Sequence, residues 1–288
     1  MIFVQILVNG LVLGSLYACI AAGFSLVWGV LNVINLMHGS FIVLGAYLAL
    51  GLYLSIGLAP WWSLAVAAVL FFGIGYLIQR FLINRVIAAP VLLSLTLTFG
   101  LDLIIQNAML YFFKADYRSL KLDPALGSLA FGSVVVPVDR LIAMIFALLL
   151  TLALYIVLRK SRVGRAIVAV RVDQGAARLL GVNIPSIYAI AFGIGTAMAA
   201  SAGTLLALTF PIAPVASYAF LGKAFVVCVL GGLGSVPGAV LGGLLLGLVE
   251  TFGAYALGPE FAVMLSFGLL ILFLVVRPQG ILGRWGFE

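Results

Sequence analysis

An all-α, polytopic transmembrane helix bundle of about eight or nine spans, some of them broken or re-entrant, is the fold class this sequence predicts. Of its 288 residues, 65% are apolar and only 8% charged, where a soluble domain carries about a quarter charged. The apolar residues gather in runs long enough to cross a bilayer at about 20 residues per crossing. Runs such as 148–158 and 265–276 are apolar on every side, which excludes the in-and-out alternation of an outer-membrane barrel. No large soluble domain fits beside these spans, so residues 1–288 are read as one membrane domain.

The spans fall at 5–28, 38–58, 61–83, 90–113, 140–158, 187–209, 220–234, 238–257 and 260–277. Asn32 and Asn35 follow the first, Ala59-Pro60 the second, Ala89-Pro90 precedes the fourth, and Pro211 and Pro214 follow the sixth. Proline blocks helix continuation at each of its positions. The first span lacks a basic leader region and outruns a signal-peptide core, so it is expected to be retained.

The net charge of +7 is unevenly placed. Arg80 and Arg85, the six bases Arg159, Lys160, Arg162, Arg165, Arg171 and Arg178, and Arg277 with Arg284 mark three cytoplasmic places. Nine crossings put the N-terminus outside; a re-entrant first turn makes eight and puts it inside. The outer loop 114–139 sets Lys114, Arg118 and Lys121 against Asp116, Asp123 and Asp139, a nearly neutral surface for docking a soluble partner, with a short extended segment at 131–137. No base-stacking motif accompanies the basic loop, so membrane lipid rather than nucleic acid is the expected surrounding. Cys19 and Cys228 lie in apolar segments without metal-ligand spacing and are read as packing residues.

The fourth span carries the clearest pathway signal. Ser94, Thr98, Asp102 and Gln106 recur every four residues, each displaced by only about 40° from the last, and so draw one polar stripe. Asp102 falls near mid-membrane, where an acid costs at least about 2.5 kcal/mol and must face protein or water. Two roles are open to the stripe: lining a translocation path, or hydrogen-bonding helices together. Asn32, Asn35 and His38 recur every three residues. They suit one helical face or a broken turn, where they either contact a zwitterionic solute or satisfy the turn itself. Glycines four apart, including Gly10 with Gly14 and Gly243 with Gly247, allow close helix approach. A turn at 234–237 makes spans seven and eight a hairpin, with Lys223 and Glu250 at similar heights of about 18 and 21 Å from it.

In the loop 159–186, Asp173 precedes a short helix with a small and apolar face, Ala176, Ala177, Leu179 and Leu180, stopped by Gly181 and then by Asn183 and Pro185. Its arginines by themselves do no more than obey topology. Gly164-Arg165-Ala166-Ile167 followed by Asp173-Gln174-Gly175-Ala176-Ala177-Arg178-Leu179-Leu180-Gly181 resembles the coupling loop of the permease subunits of branched-chain amino acid ABC importers. Residues 9–18, the stretch Asn35-Leu36-Met37-His38-Gly39-Ser40 leading to Gly45-Ala46-Tyr47, and the glycine-rich turn 231–243 resemble that family in the same order. Gly175 departs from it, since importer permeases often carry an acid before the paired alanines.

The resemblance implies a permease subunit in a bacterial inner membrane that serves branched-chain or related small amino acids. It also implies a second permease subunit, identical or homologous, cytoplasmic ABC ATPases that bind ATP and Mg, and a periplasmic substrate-binding protein. It marks Arg165, Asp173, Ala176, Ala177, Arg178, Leu179 and Gly181 as ATPase-coupling candidates. No G-x-x-x-x-G-K-[S/T] loop occurs in this chain, which assigns nucleotide chemistry to partners. A single histidine and the lack of G-x-S-x-G argue against common intramembrane enzymes. The competing class is an ion-coupled secondary carrier or channel built on Asp102.

Overall fold

A computed structural model describes residues 2–87, 90–122, 126–132 and 134–283. Ala89, Asp123, Ser133 and Arg284 lie outside the described residues. In chain order the helices are α1 Ile2–Leu31, α2 His38–Ile56, α3 Pro60–Phe81 and α4 Val91–Phe113. The strands β1 Ser128–Phe131 and β2 Val134–Pro137 precede α5 Val138–Lys160. Then come α6 Arg162–Val172, α7 Gln174–Leu179, α8 Ile184–Leu206, α9 Ala216–Gly231, α10 Val236–Leu257 and α11 Ala262–Val276. Among the described residues, 8 helices are long and apolar enough to cross a membrane, and α9 is a shorter apolar helix.

Eight of the nine expected spans are present with ends displaced by a few residues, and the one expected at 220–234 is the shorter helix α9. Helices α1 and α8 occupy the centre and are buried over most of their length. Helices α4, α5 and α11 bury only a narrow stripe, the pattern of a helix with its apolar back to lipid. Small residues explain how α1 gets so close to its neighbours. A Cβ placed on Gly14 would lie 2.7 Å from the Leu244 Cα and 2.8 Å from the Gly243 carbonyl. The glycine pairs of α1 and α10 therefore meet face to face.

The bundle has two distinct ends. At one, Asn84 donates to the Pro185 carbonyl (3.1 Å) and Arg171 to the Gly234 carbonyl (2.6 Å). There too, the Ile281 amide reaches the Leu230 carbonyl (2.8 Å). The basic residues after α3, those of 159–186 and Arg277 thus gather at one arginine-rich end. At the other, Gln5 pairs with the backbone of Val135 through both side-chain atoms (2.8 and 2.9 Å), and Arg118 pairs with Ile212. Gln5 lies opposite the arginine-rich end, as nine passages require, so the re-entrant first turn is not realised.

Two local features were not foreseen. The extended segment expected at 131–137 is present as β2, but its antiparallel pairing with β1, Ser128 with Pro137 and Ala130 with Val135, was not expected. Within the loop expected at 159–186, residues Arg162–Val172 form the helix α6. Ser161 caps it by accepting from the Gly164 amide (2.8 Å), and Ile167 and Val170 bury its inner face. Its dense arginines masked that amphipathic pattern.

Replacing Gly14 by Leu should overpack α1 against α10 and cost about 1–3 kcal/mol. Gly51→Ala, where a Cβ meets nothing within 4 Å, should leave stability equal or slightly higher. Thermal unfolding of the detergent-solubilised protein separates the two.

Candidate functional site

Two helices begin inside the bundle. Helix α1 ends at Leu31, and exposed Asn32, with φ of 52°, turns the chain back as the non-helical residues 32–35 and a turn at 36–37. Helix α2 then starts at His38, whose Nε2 lies 3.1 Å from the Ile20 carbonyl. From Ile20 to Leu31 is about 16 Å along α1, so this start is well within the bilayer. Helix α9 has 16 residues, about 24 Å against a hydrocarbon core of about 30 Å. The two starts touch: Gly39 packs on the Ser217 carbonyl with no space for a Cβ.

Irregular backbone at this depth survives only where protein satisfies its polar groups. The stripe of α4 does so at one carbonyl and otherwise bonds side chains at the two helix starts. Thr98 Oγ1 donates to the Ile34 carbonyl (3.0 Å). Ser40 donates to Asp102 Oδ1 (2.5 Å). Gln106 Nε2 donates to Ser217 Oγ (2.7 Å) and, at 3.4 Å, to Asp102 Oδ2. Ser94 bonds within its own helix, to the Val91 carbonyl (2.8 Å). All four stripe residues are buried, and three of them join α4 to the break before α2 and to the starts of α2 and α9.

Asn32, Asn35 and His38 form a broken turn and not a helical face. Asn32 is exposed, while Asn35 and His38 are buried. Both amide atoms of Asn35 and Nδ1 of His38 lack a hydrogen-bond partner among the described residues. Phe24 meets the His38 ring edge-on at 5.3 Å.

The two intramembrane acids are treated differently. Lys223 Nζ lies 3.0 Å from Glu250 Oε2 and 2.5 Å from Tyr17 Oη. Tyr17 donates to the same oxygen (2.7 Å), and Ser266 to Oε1 (2.5 Å). The heights counted from the α9–α10 turn do bring Lys223 and Glu250 together; Tyr17 and Ser266 are linked to them by no sequence spacing. Asp102, by contrast, has only the neutral donors Ser40 and Gln106. Among the described residues no basic group pairs with it. The nearby starts of α2 and α9 offer their positive ends, worth about 0.3–1 kcal/mol each where exposed and up to about 2 kcal/mol when partly buried.

At the arginine-rich end, Asp173 caps α7 by accepting from the Ala176 amide (3.0 Å), and Gly181, with φ of 82°, follows it. Gln174 donates to the Tyr188 hydroxyl. Ala177 is buried against the bundle, whereas Arg165, Asp173, Ala176, Arg178, Leu179 and Gly181 are exposed. Ala177 therefore anchors α7 and leaves the outward apolar surface to Leu179 (90% exposed) and Leu180 (81%). Arg171 at the end of α6 reaches the Gly234 carbonyl, and Gly29 sits so close that a Cβ on it would lie 2.8 Å from the Gly234 Cα.

Moving a polar solute through lipid calls for polar groups and interrupted helices in the bundle interior, and both occur where α2, α4 and α9 meet; the fold and site define a membrane transport permease. Comparison with known families makes this particular. The chain belongs to the family described as branched-chain amino acid transport system / permease component, whose model matches residues 6–274. It is 37% identical to the high-affinity branched-chain amino acid transport system permease protein BraD of Pseudomonas aeruginosa, covering 98% of this chain and 96% of the relative. It is 36% identical to the corresponding protein LivH of Escherichia coli with the same coverage. It is also 36% identical to LivM of Escherichia coli over 53% of this chain and 37% of that protein. No solved structure matches the chain.

Glu250→Gln or Lys223→Met should each strand a buried charge or its donors and cost about 3–5 kcal/mol, with the double variant costing less than the sum. A double-mutant cycle on thermal stability in detergent measures the coupling.

Proposed function

We propose that this chain is one permease subunit of an ATP-driven importer for branched-chain or related small amino acids in a bacterial inner membrane. The match to the permease family along nearly the whole chain carries this reading. BraD and LivH are permease proteins of high-affinity branched-chain systems, and the partial likeness to LivM favours a homologous second permease subunit. A periplasmic binding protein would deliver the solute to the loop 114–139. Separate ATPases, holding ATP and Mg, would press on α6 and α7. The chain itself breaks no covalent bond.

The exposed pair Leu179-Leu180 beside Arg178 suits an apolar groove with an acidic rim on an ATPase. Force applied there passes into the bundle by two attachments. Buried Ala177 seats α7, and the bond from Arg171 to the Gly234 carbonyl holds the turn at the foot of α9. Helix α9 begins at Ala216, with Ser217 bonded to Gln106, so a displacement of its foot moves the region where α2, α4 and α9 meet. A secondary carrier is disfavoured by the family match, and uptake that depends on ATP and survives a protonophore would separate the two classes.

Arg178→Glu, or Leu179→Asp with Leu180→Asp, should reduce ATP-dependent leucine uptake by at least about tenfold, roughly the loss of 1.4 kcal/mol of docking free energy. Membrane content by immunoblot should stay unchanged. Normal uptake by these variants would contradict the docking role.

A further inference from the structure

The two intramembrane acids are treated unequally, and one of them has no basic partner among the described residues. Glu250 has its lysine, its tyrosine and its serine. Asp102 is buried with one short bond from Ser40 and one long bond from Gln106, all neutral. A carboxylate in this setting attracts any cation the pathway delivers.

About one helical turn along α2 from Ser40 lies a narrow apolar cavity lined by Ile42, Val43 and Ala46 of α2, by Phe210, and by Ala216 and Phe220 of α9. Val43 stands three residues after Ser40 and Phe220 three after Ser217, so each shares a helix face with a residue of the Asp102 cluster. Three residues rise about 4.5 Å. In an amino acid with a branched side chain, the ammonium nitrogen and the branching carbon are separated by two or three bonds of about 1.5 Å. The rise from Ser40 to Val43 falls within the reach of one such molecule, from its ammonium group to its methyl groups. As it stands, the cavity holds space for about one water molecule, so an aliphatic group enters only when α9 moves away from α2.

We propose that Asp102, with Ser40 and Gln106, receives the ammonium group of the amino acid in transit while its branched side chain occupies the cavity between α2 and residues 206–220. This rests on the importer reading above and adds a solute site within this chain. It assigns the stripe of α4 a place on the path in addition to its structural bonds.

The test uses the assembled importer with its partner subunits in membrane vesicles. Wild-type, Asp102→Asn and Asp102→Glu complexes are compared for assembly by co-purification and for ATP-dependent leucine uptake. In parallel, a diazirine-bearing leucine analogue is photolysed in the vanadate-trapped wild-type complex and labelled peptides are mapped. Asp102→Asn is expected to assemble and lose at least tenfold in uptake, Asp102→Glu to recover part of it, and label to fall on residues 42–46 or 206–220. Should Asp102→Asn fail to assemble, the wild-type label decides: label in those two segments upholds the site, and its absence from both overturns it. Uptake by assembled Asp102→Asn equal to wild type overturns this site alone. A wild-type complex that imports no amino acid overturns the parent reading and this one with it.

Discussion

Lipid offers no hydrogen bonds, and the interior of this bundle is arranged around that fact. A chain that begins two helices below the membrane surface must find partners for the irregular backbone ahead of them. Helix α4 supplies one such partner and ties the side chains at both starts, while burying little else. Thr98 takes the Ile34 carbonyl, Asp102 takes Ser40, and Gln106 takes Ser217. The remaining surface of α4 is apolar and largely exposed, as suits a helix held to its neighbours by a polar seam. The same requirement explains why an acid is tolerated there at all, since its neighbours are the first turns of two helices and not hydrocarbon.

Around that irregular region the bundle is fixed. The backbones of α1 and α10 meet at facing glycines, and the Tyr17–Lys223–Glu250–Ser266 cluster ties α1, α9, α10 and α11 at one level. Helix α9 is thus held at three heights: by Arg171 at the turn below it, by Glu250 at Lys223, and by Gln106 at Ser217. The upper attachment involves only neutral groups on α9 and α4, whereas the middle one is ionic and buried. On the importer reading, movement is easiest at the upper attachment, where it exchanges neutral hydrogen bonds and separates no charges.

Much of this was legible before any coordinates. Membrane spans announce themselves because lipid selects uniform apolarity over about 20 residues. The Ser94-Thr98-Asp102-Gln106 stripe and the Lys223–Glu250 pairing needed only the rise and turn of a helix. The cap at Asp173 and the stop at Gly181 were equally local. What could not be read was what the stripe faces. Ser40 and Ser217 are unremarkable serines until two distant breaks place them side by side, and Tyr17 and Ser266 join Glu250 only through tertiary packing. That Ala177 is the buried foot of α7 was equally unreadable, because small residues suit an exposed face and a buried one alike and only the neighbouring surface of the bundle distinguishes them.

The division between a chain that carries solute and partners that would supply energy has a mechanical corollary. On the importer reading, this chain is driven through displacement of its surface. A helix suits that task because its backbone hydrogen bonds run along its axis, so a push at Gly231 reaches Ser217 with little loss over about 21 Å. A loop over the same distance would dissipate the motion in its own soft dihedral angles. The break before α9 then has a use besides admitting polar groups. It frees the far end of the rod from α8, through residues 207–215, while the near end stays bonded to α6. A continuous helix from α8 into α9 is excluded by Pro211 and Pro214, and it would also have bound the moving part to the most deeply buried helices of the bundle.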